Sequence, residues 1–171
     1  MKLYLCRHAV AEESAPGGDS RRALSAEGRT HFARVAAGLA TMKPQIEIIF
    51  TSPYLRARQT AEIMAKALDR ARTADGHHKT PIVPAAELAC GGAPELLRKR
   101  LRSGKHPPHA IMAVGHAPDL QCLLAQLCFG KSGRVRFKKG AVACVKVDDA
   151  LTQGELLFLM QPRQLAALAD T

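Results

Sequence analysis

Short apolar runs, each about a strand long, alternate with stretches of helical period for about 130 residues. That alternation restricts the fold more than anything else in the chain, because parallel strands need a crossover element between them. Residues 2–6 read as a first strand. Ser25 then reads as an N-cap, with Glu27 and Gly28 in the first turn. Phe32, Val35, Ala36 and Leu39 follow at helical spacing, which predicts a helix over 26–41. A second strand is expected at 46–50. Ser52 and Pro53 then read as the N-cap and first position of a helix running to 68, which buries Ala61, Met64, Ala65 and Leu68. A basic loop at 69–80, a short strand at 81–84 and a helix at 93–101 come next. The uninterrupted apolar run at 110–114 suits the centre of a parallel sheet. Pro118 opens a helix through 127. Residues 141–147 and 155–160 read as an antiparallel hairpin at a sheet edge, and 163–169 as a short closing helix. The expected architecture is a three-layer α/β/α sandwich with a mostly parallel sheet, formed by a single domain over 1–171.

The bulk numbers fit a globular enzyme or binding domain. An apolar content of 47% over 171 residues argues against disorder. The apolar runs are too short and interrupted to cross a membrane. The chain enters a strand directly, without the charged region, apolar stretch and cleavage site of a secretory signal, so a cytoplasmic location is expected. The five cysteines show no CxxC spacing and read mainly as small buried hydrophobes in a reducing compartment. A net charge of +10 points to an acidic partner, while a 4% aromatic content without tryptophan argues against a base-stacking surface.

Within this frame, two histidines stand where strands should end. Arg7-His8 follows the run at 2–6, and Gly115-His116 follows the run at 110–114. Ligands of open α/β sheets bind outside the carboxyl ends of the strands, so the two histidines should share a site. A helix N-terminus, with its free N–H groups and dipole, should add Arg56 in its first turn. Arg58, two residues further, should point to solvent.

The segments Leu5-Cys6-Arg7-His8-Ala9, Arg22-Ala23-Leu24-Ser25-Ala26-Glu27-Gly28, Ser52-Pro53-Tyr54-Leu55-Arg56-Ala57-Arg58-Gln59-Thr60-Ala61 and Val114-Gly115-His116 resemble, in this order, the motifs of the histidine phosphatase superfamily. The compact length, and Glu87-Leu88 before Cys90-Gly91-Gly92, look most like the SixA-type phosphohistidine phosphatases of that family, whose fold is that of phosphoglycerate mutases. The resemblance implies that His8 is the nucleophile, forming a phosphohistidine intermediate, and that Arg7, Arg56 and His116 surround the phosphate. It assigns Arg22 a looser substrate-binding role. It also implies a phosphorylated protein as substrate, such as a phosphorelay or phosphotransferase component. Ala9 departs from the family's Arg-His-Gly signature.

The chemistry agrees with these assignments. A phosphoryl group in flight is stabilised mainly by positioning and by charge, which guanidinium forks supply bidentately. No metal or cofactor is expected. His8 must be neutral, which nearby arginines favour, and a carbonyl accepting from its other ring nitrogen would fix the tautomer. Esters need a general acid, for which Glu87 and the pair Glu12-Glu13 are candidates; a protonated phosphoimidazole manages without one. Two other readings stay open: a small-molecule phosphomonoesterase using Glu87, and an inactive phosphate- or nucleic-acid-binding module, the last being the less expected. The basic segments 98–102 and 134–139 read as a solvated helix face and a charged loop, with docking of an acidic protein as the sharper alternative.

Overall fold

The computed structural model describes residues 1–72, 79–92, 97, 108–130, 135–148 and 150–170. Six strands form one sheet: β1 (Lys2–Arg7), β2 (Ile48–Thr51), β3 (Ile82–Pro84), β4 (Ala110–Gly115), β5 (Val142–Val147) and β6 (Gly154–Met160), in the spatial order β3-β2-β4-β1-β5-β6. The first four in that order run parallel, while β5 is antiparallel to both β1 and β6. This is the mostly parallel sheet with an antiparallel edge hairpin that the alternation predicts.

The helices are α1 (Ala26–Thr41), α2 (Leu55–Arg72), α3 (Asp119–Phe129) and α4 (Pro162–Leu168). Strand β1 shows why the sheet needs cover on both sides. Its Tyr4 and Cys6 belong to one core with Phe32, Val35 and Leu39 of α1, Met64 and Leu68 of α2 and Leu165 of α4. Its Leu3 and Leu5 belong to a second core with Leu120 and Leu124 of α3. Period-two alternation of residues that are all buried places apolar groups on both faces, and helices on both faces remove them from water.

Several local expectations need correction. Helix α2 starts at Leu55, not at Pro53. The Ser52 hydroxyl accepts the Tyr54 N–H at 3.2 Å, and the Tyr54 carbonyl takes the N–H groups of Ala57 and Arg58, so the first turn is displaced by two residues. The same helix continues past 68 to Arg72, whose guanidinium donates to the carbonyls of Pro44 and Ile46 and ties down its last turn. Strand β2 begins at Ile48, although Ile46 is fully buried. The cysteines are mixed: Cys6 and Cys144 are buried, but Cys90 and Cys122 are exposed. Cys122 lies on the outer side of α3, whose inward face is taken by Leu120, Leu123, Leu124 and Leu127. The helix expected at 93–101 falls, apart from Leu97, outside the described residues. Among the described residues, no helix is long and apolar enough to cross a membrane.

What positions the site is the register of three parallel strands. Arg7 of β1 is level with Gly115 of β4, and Thr51 of β2 is level with Val114. The chain therefore leaves β1, β4 and β2 at one height, delivering His8, His116 and Ser52 side by side. Backbone bonds continue past the strands: His8 N–H donates to the Gly115 carbonyl at 3.0 Å, and Ser52 N–H donates to the Val114 carbonyl at 2.9 Å.

Candidate active site

His8 and His116 are 6% and 1% exposed, with ring centroids 5.0 Å apart. The Nδ1 of His8 lies 2.7 Å from the Ala9 carbonyl, which can only accept, so Nδ1 carries the proton and Nε2 keeps its lone pair. Arg56 Nε–H donates toward that lone pair at 3.4 Å. Burial above all pushes the His8 imidazole down to about 3; the Ala9 carbonyl opposes this, and His116, Arg56 and Arg7 add to it. The arginines thus help keep His8 neutral, as expected, but desolvation is the larger cause. Burial also pushes His116 down, to about 4, with Arg56, Arg7 and Arg22 lowering it and Asp19 raising it. Both imidazoles are neutral near pH 7.

Arg56, 2% exposed, projects from the first turn of α2 as expected. Its Nη1 donates to the Asp19 carbonyl at 2.7 Å, its Nη2 to Asp19 Oδ2 at 2.9 Å and to Cys90 Sγ at 3.5 Å, and its guanidinium sits 5.0 Å from the centre of the Tyr54 ring. Arg7 donates from Nη1 to the Phe137 carbonyl at 2.8 Å, while its buried Nε has no partner among the described residues. A buried arginine, a half-buried one and two buried neutral imidazoles, converging at strand ends, make a compact receptor for a tetrahedral oxyanion.

A family model for the histidine phosphatase superfamily (branch 1) matches residues 3–77. An uncharacterized protein of Picosynechococcus is 33% identical, with 96% of this chain and 99% of that protein covered. The phosphohistidine phosphatase SixA of Escherichia coli is 29% identical, with 96% of each chain covered. A solved structure of the protein histidine phosphatase SixA complexed with tungstate superimposes with a TM-score of 0.81 at 27% identity, covering 96% of this chain and 99% of that one. The chain belongs to the histidine phosphatase superfamily and is of the SixA type.

The rest of this SixA-type site explains what its motifs do. Ala9, in place of the signature glycine, is buried and does not have a positive φ, so a methyl group is accommodated without backbone strain. Ala9 N–H donates to Thr60 Oγ1, which itself donates to the Arg56 carbonyl, and Gln59 Oε1 accepts from Leu24 N–H. The Gln59-Thr60 pair is therefore a clasp between α2 and the two loops beside it. Gly28 is required because a Cβ there would meet the Val10 carbonyl at 2.1 Å, and Val10 belongs to the strand-end loop after His8.

The other sequence candidates divide. Arg22 makes no hydrogen bond to either histidine; its Nε donates to Asp19 Oδ1 at 2.7 Å and its Nη1 to the Glu12 carbonyl at 2.9 Å. Arg22 and Arg56 therefore share the Asp19 carboxylate, which both hold well below its usual carboxylate range although burial opposes them. Glu87 is half-buried in the short turn Ala86–Leu88, whose Leu88 carbonyl approaches Gly115, so it stands at the same end of the sheet. The side chains of Glu12 and Glu13 are exposed, as are Arg58, His31 and His109. His77, His78, His106, Arg134 and the basic segment 98–102 lie outside the described residues.

Sequence reasoning missed Asp19, Ser52's place in the site, and a strap formed by residues 137–140. Phe137 is buried, its carbonyl fixes Arg7, and Gly140 N–H is shared by the carbonyls of Arg7 and His8. Gly140 has a φ of +82°, a conformation suited to glycine. The described part of the segment 134–139 is thus more than a charged loop: Arg136, Lys138 and Lys139 face solvent while the backbone from Phe137 frames the site. Gly140, before an apolar run, was the one signal that could have exposed the strap. Among the described residues, no group of three or more His, Cys, Asp or Glu could hold a metal ion.

Proposed function

We propose that this chain is a metal-independent phosphohistidine phosphatase acting on a phosphorylated protein, with His8 as its nucleophile. The observation that carries the reading is the state of His8: neutral, tautomer fixed by the Ala9 carbonyl, with Nε2 presented to the Arg56 guanidinium. Nε2 attacks phosphorus in line with the leaving group. The P–N bond to the substrate imidazole breaks and a bond to Nε2 forms. Arg7, Arg56 and His116 take the charge on the equatorial oxygens. The proton stays on His8 Nδ1, where its hydrogen bond to the Ala9 carbonyl stabilises the cationic ring of the phosphoenzyme until water removes the phosphoryl group.

The leaving group argues for a phosphorus–nitrogen bond. An alkoxide needs a proton on departure, and the carboxylate tied to Arg56, Asp19, is held ionised and has none to give. A phosphoimidazole protonated on its distal nitrogen leaves as neutral imidazole. The exposed cations of the site rim, Arg136, Lys138 and Lys139, suit an acidic protein surface.

The test is hydrolysis of phosphohistidine, phosphoserine and sugar phosphates in the presence of a chelator, by the wild type and by His8→Ala. The expected result is rapid, chelator-resistant loss of phosphohistidine by the wild type only. Good turnover of sugar phosphates, lost in Glu87→Gln, would replace this reading with the small-molecule phosphomonoesterase.

A further inference from the structure

We infer that Ser52 is a positioning residue that sets the tautomer of His116, making it a neutral Nδ1–H donor to a phosphoryl oxygen. The argument is one of counting donors. His116 Nε2 lies 2.8 Å from Ser52 Oγ, and both groups are buried. Ser52 Oγ also accepts the Tyr54 N–H at 3.2 Å. A hydroxyl has one proton and two acceptor sites.

Suppose His116 Nε2 carried the proton. Ser52 Oγ would then accept two N–H bonds, and its own proton would face no acceptor among the described residues. The His116 Nδ1 lone pair would be buried without a donor as well. Each such group is destabilising, since desolvation is not repaid by a partner. In the opposite tautomer the Ser52 hydroxyl donates to Nε2, accepts from Tyr54, and is satisfied. A single group is then left over: His116 Nδ1–H, a buried donor without a partner among the described residues.

That leftover donor belongs to a ring 5.0 Å from the His8 ring, where an anion bound at His8 Nε2 brings oxygens within reach. A neutral donor in this place has a use. Arg56 already stands beside both imidazoles, so a second cation would be repelled, whereas an N–H dipole adds a directed bond without that cost. Ser52 is itself fixed, because its N–H is bonded to the Val114 carbonyl and its residue is fully buried at the end of β2. The hydroxyl that reads from sequence as a helix cap is turned to a ring nitrogen instead.

The identity of the anion as a transferred phosphoryl group rests on the function proposed above; the tautomer does not. Nitrogen NMR of the wild-type His116 ring, titrated with inorganic phosphate, tests the tautomer directly. The expected result is a pyridine-type Nε2, a pyrrole-type Nδ1, and movement of the Nδ1–H signal as phosphate binds. In Ser52→Ala the ring should lose this preference and phosphate should bind about tenfold more weakly, with Ser52→Thr restoring both. A proton on Nε2 in the wild type overturns the inference whether or not the variants fold. So does a Ser52→Ala protein with unchanged tautomer and phosphate affinity. An enzyme with the expected tautomer but no phosphohistidine turnover would leave the inference standing and remove the functional reading.

Discussion

The ends of β1 and β4 are neighbours at one height, and each presents a buried, neutral imidazole, yet they are built differently. At the end of β1, His8 is governed by a backbone carbonyl, an acceptor that leaves no choice of tautomer. At the end of β4, His116 is governed by a hydroxyl, which can donate or accept and is decided by its proton having no acceptor but the ring nitrogen among the described residues. Under the proposed function, the difference separates two tasks. A nucleophile needs a lone pair that is always available, so its tautomer is fixed by the main chain. A ring that stabilises charge needs a proton in the right place, and a side chain can supply that control. The surrounding charges differ in the same sense: Asp19 is a main influence on His116, opposing the shift caused by burial, and is not among the main influences on His8.

Substitutions at the two ends should have unequal effects. His8→Ala removes the lone pair that the proposed mechanism offers to phosphorus and should lower turnover by roughly 10⁴-fold or more, read in single-turnover kinetics. Arg56→Ala strips both rings of their shared guanidinium and should cost about 10²- to 10³-fold in kcat. His116→Ala should cost less, about ten- to a hundredfold, and mainly in kcat, because Arg7 and Arg56 still hold the phosphoryl group. Equal losses at His8 and His116 would remove the distinction drawn between the two strand ends.

Smaller effects probe the electrostatics. Both histidines titrate lower in the folded chain than in the unfolded one, so the unfolded chain takes up protons first as the pH falls. Their contribution to stability is complete above about pH 6.5 and declines as the pH drops toward the folded values of about 4 and about 3. Denaturant titrations across this window should show a shallower decline in His8→Gln/His116→Gln than in the wild type. The smallest effect is at Asp19. Its carboxylate is 54% exposed, and it competes with anions for Arg56 and Arg22. Asp19→Asn should tighten inorganic phosphate roughly two- to fivefold at low salt, and less at high salt, by calorimetry.

The two strand ends were also unequally legible in the sequence. Arg7-His8 and Arg56 could be found because local signals announce them: an apolar run that stops, and a helix that starts. The layering of a mostly parallel sheet between helices followed from the alternation, since runs buried on both faces need helices on both sides, whereas the strand order did not. Ser52 could not be read the same way. A serine before proline at a helix start signals a cap, and only the register of β2 against β4 reveals that its hydroxyl meets His116. Asp19 was hidden for a related reason, as it follows the two positive-φ glycines Gly17 and Gly18 in a loop region and is hydrogen-bonded to the site through Arg56, with Arg22 on its other oxygen. Long-range partners chosen by loop geometry leave no periodic trace.

The central claim is that the lone pair on His8 Nε2 takes up the phosphoryl group. Rapid-quench mixing with a radiolabelled phosphohistidine protein, stopped at alkaline pH and mapped by peptide sequencing, tests it directly. The account predicts a transient label on His8 of the wild type and none on any residue of His8→Asn. Hydrolysis without a labelled enzyme, or a label that persists in His8→Asn, would contradict it.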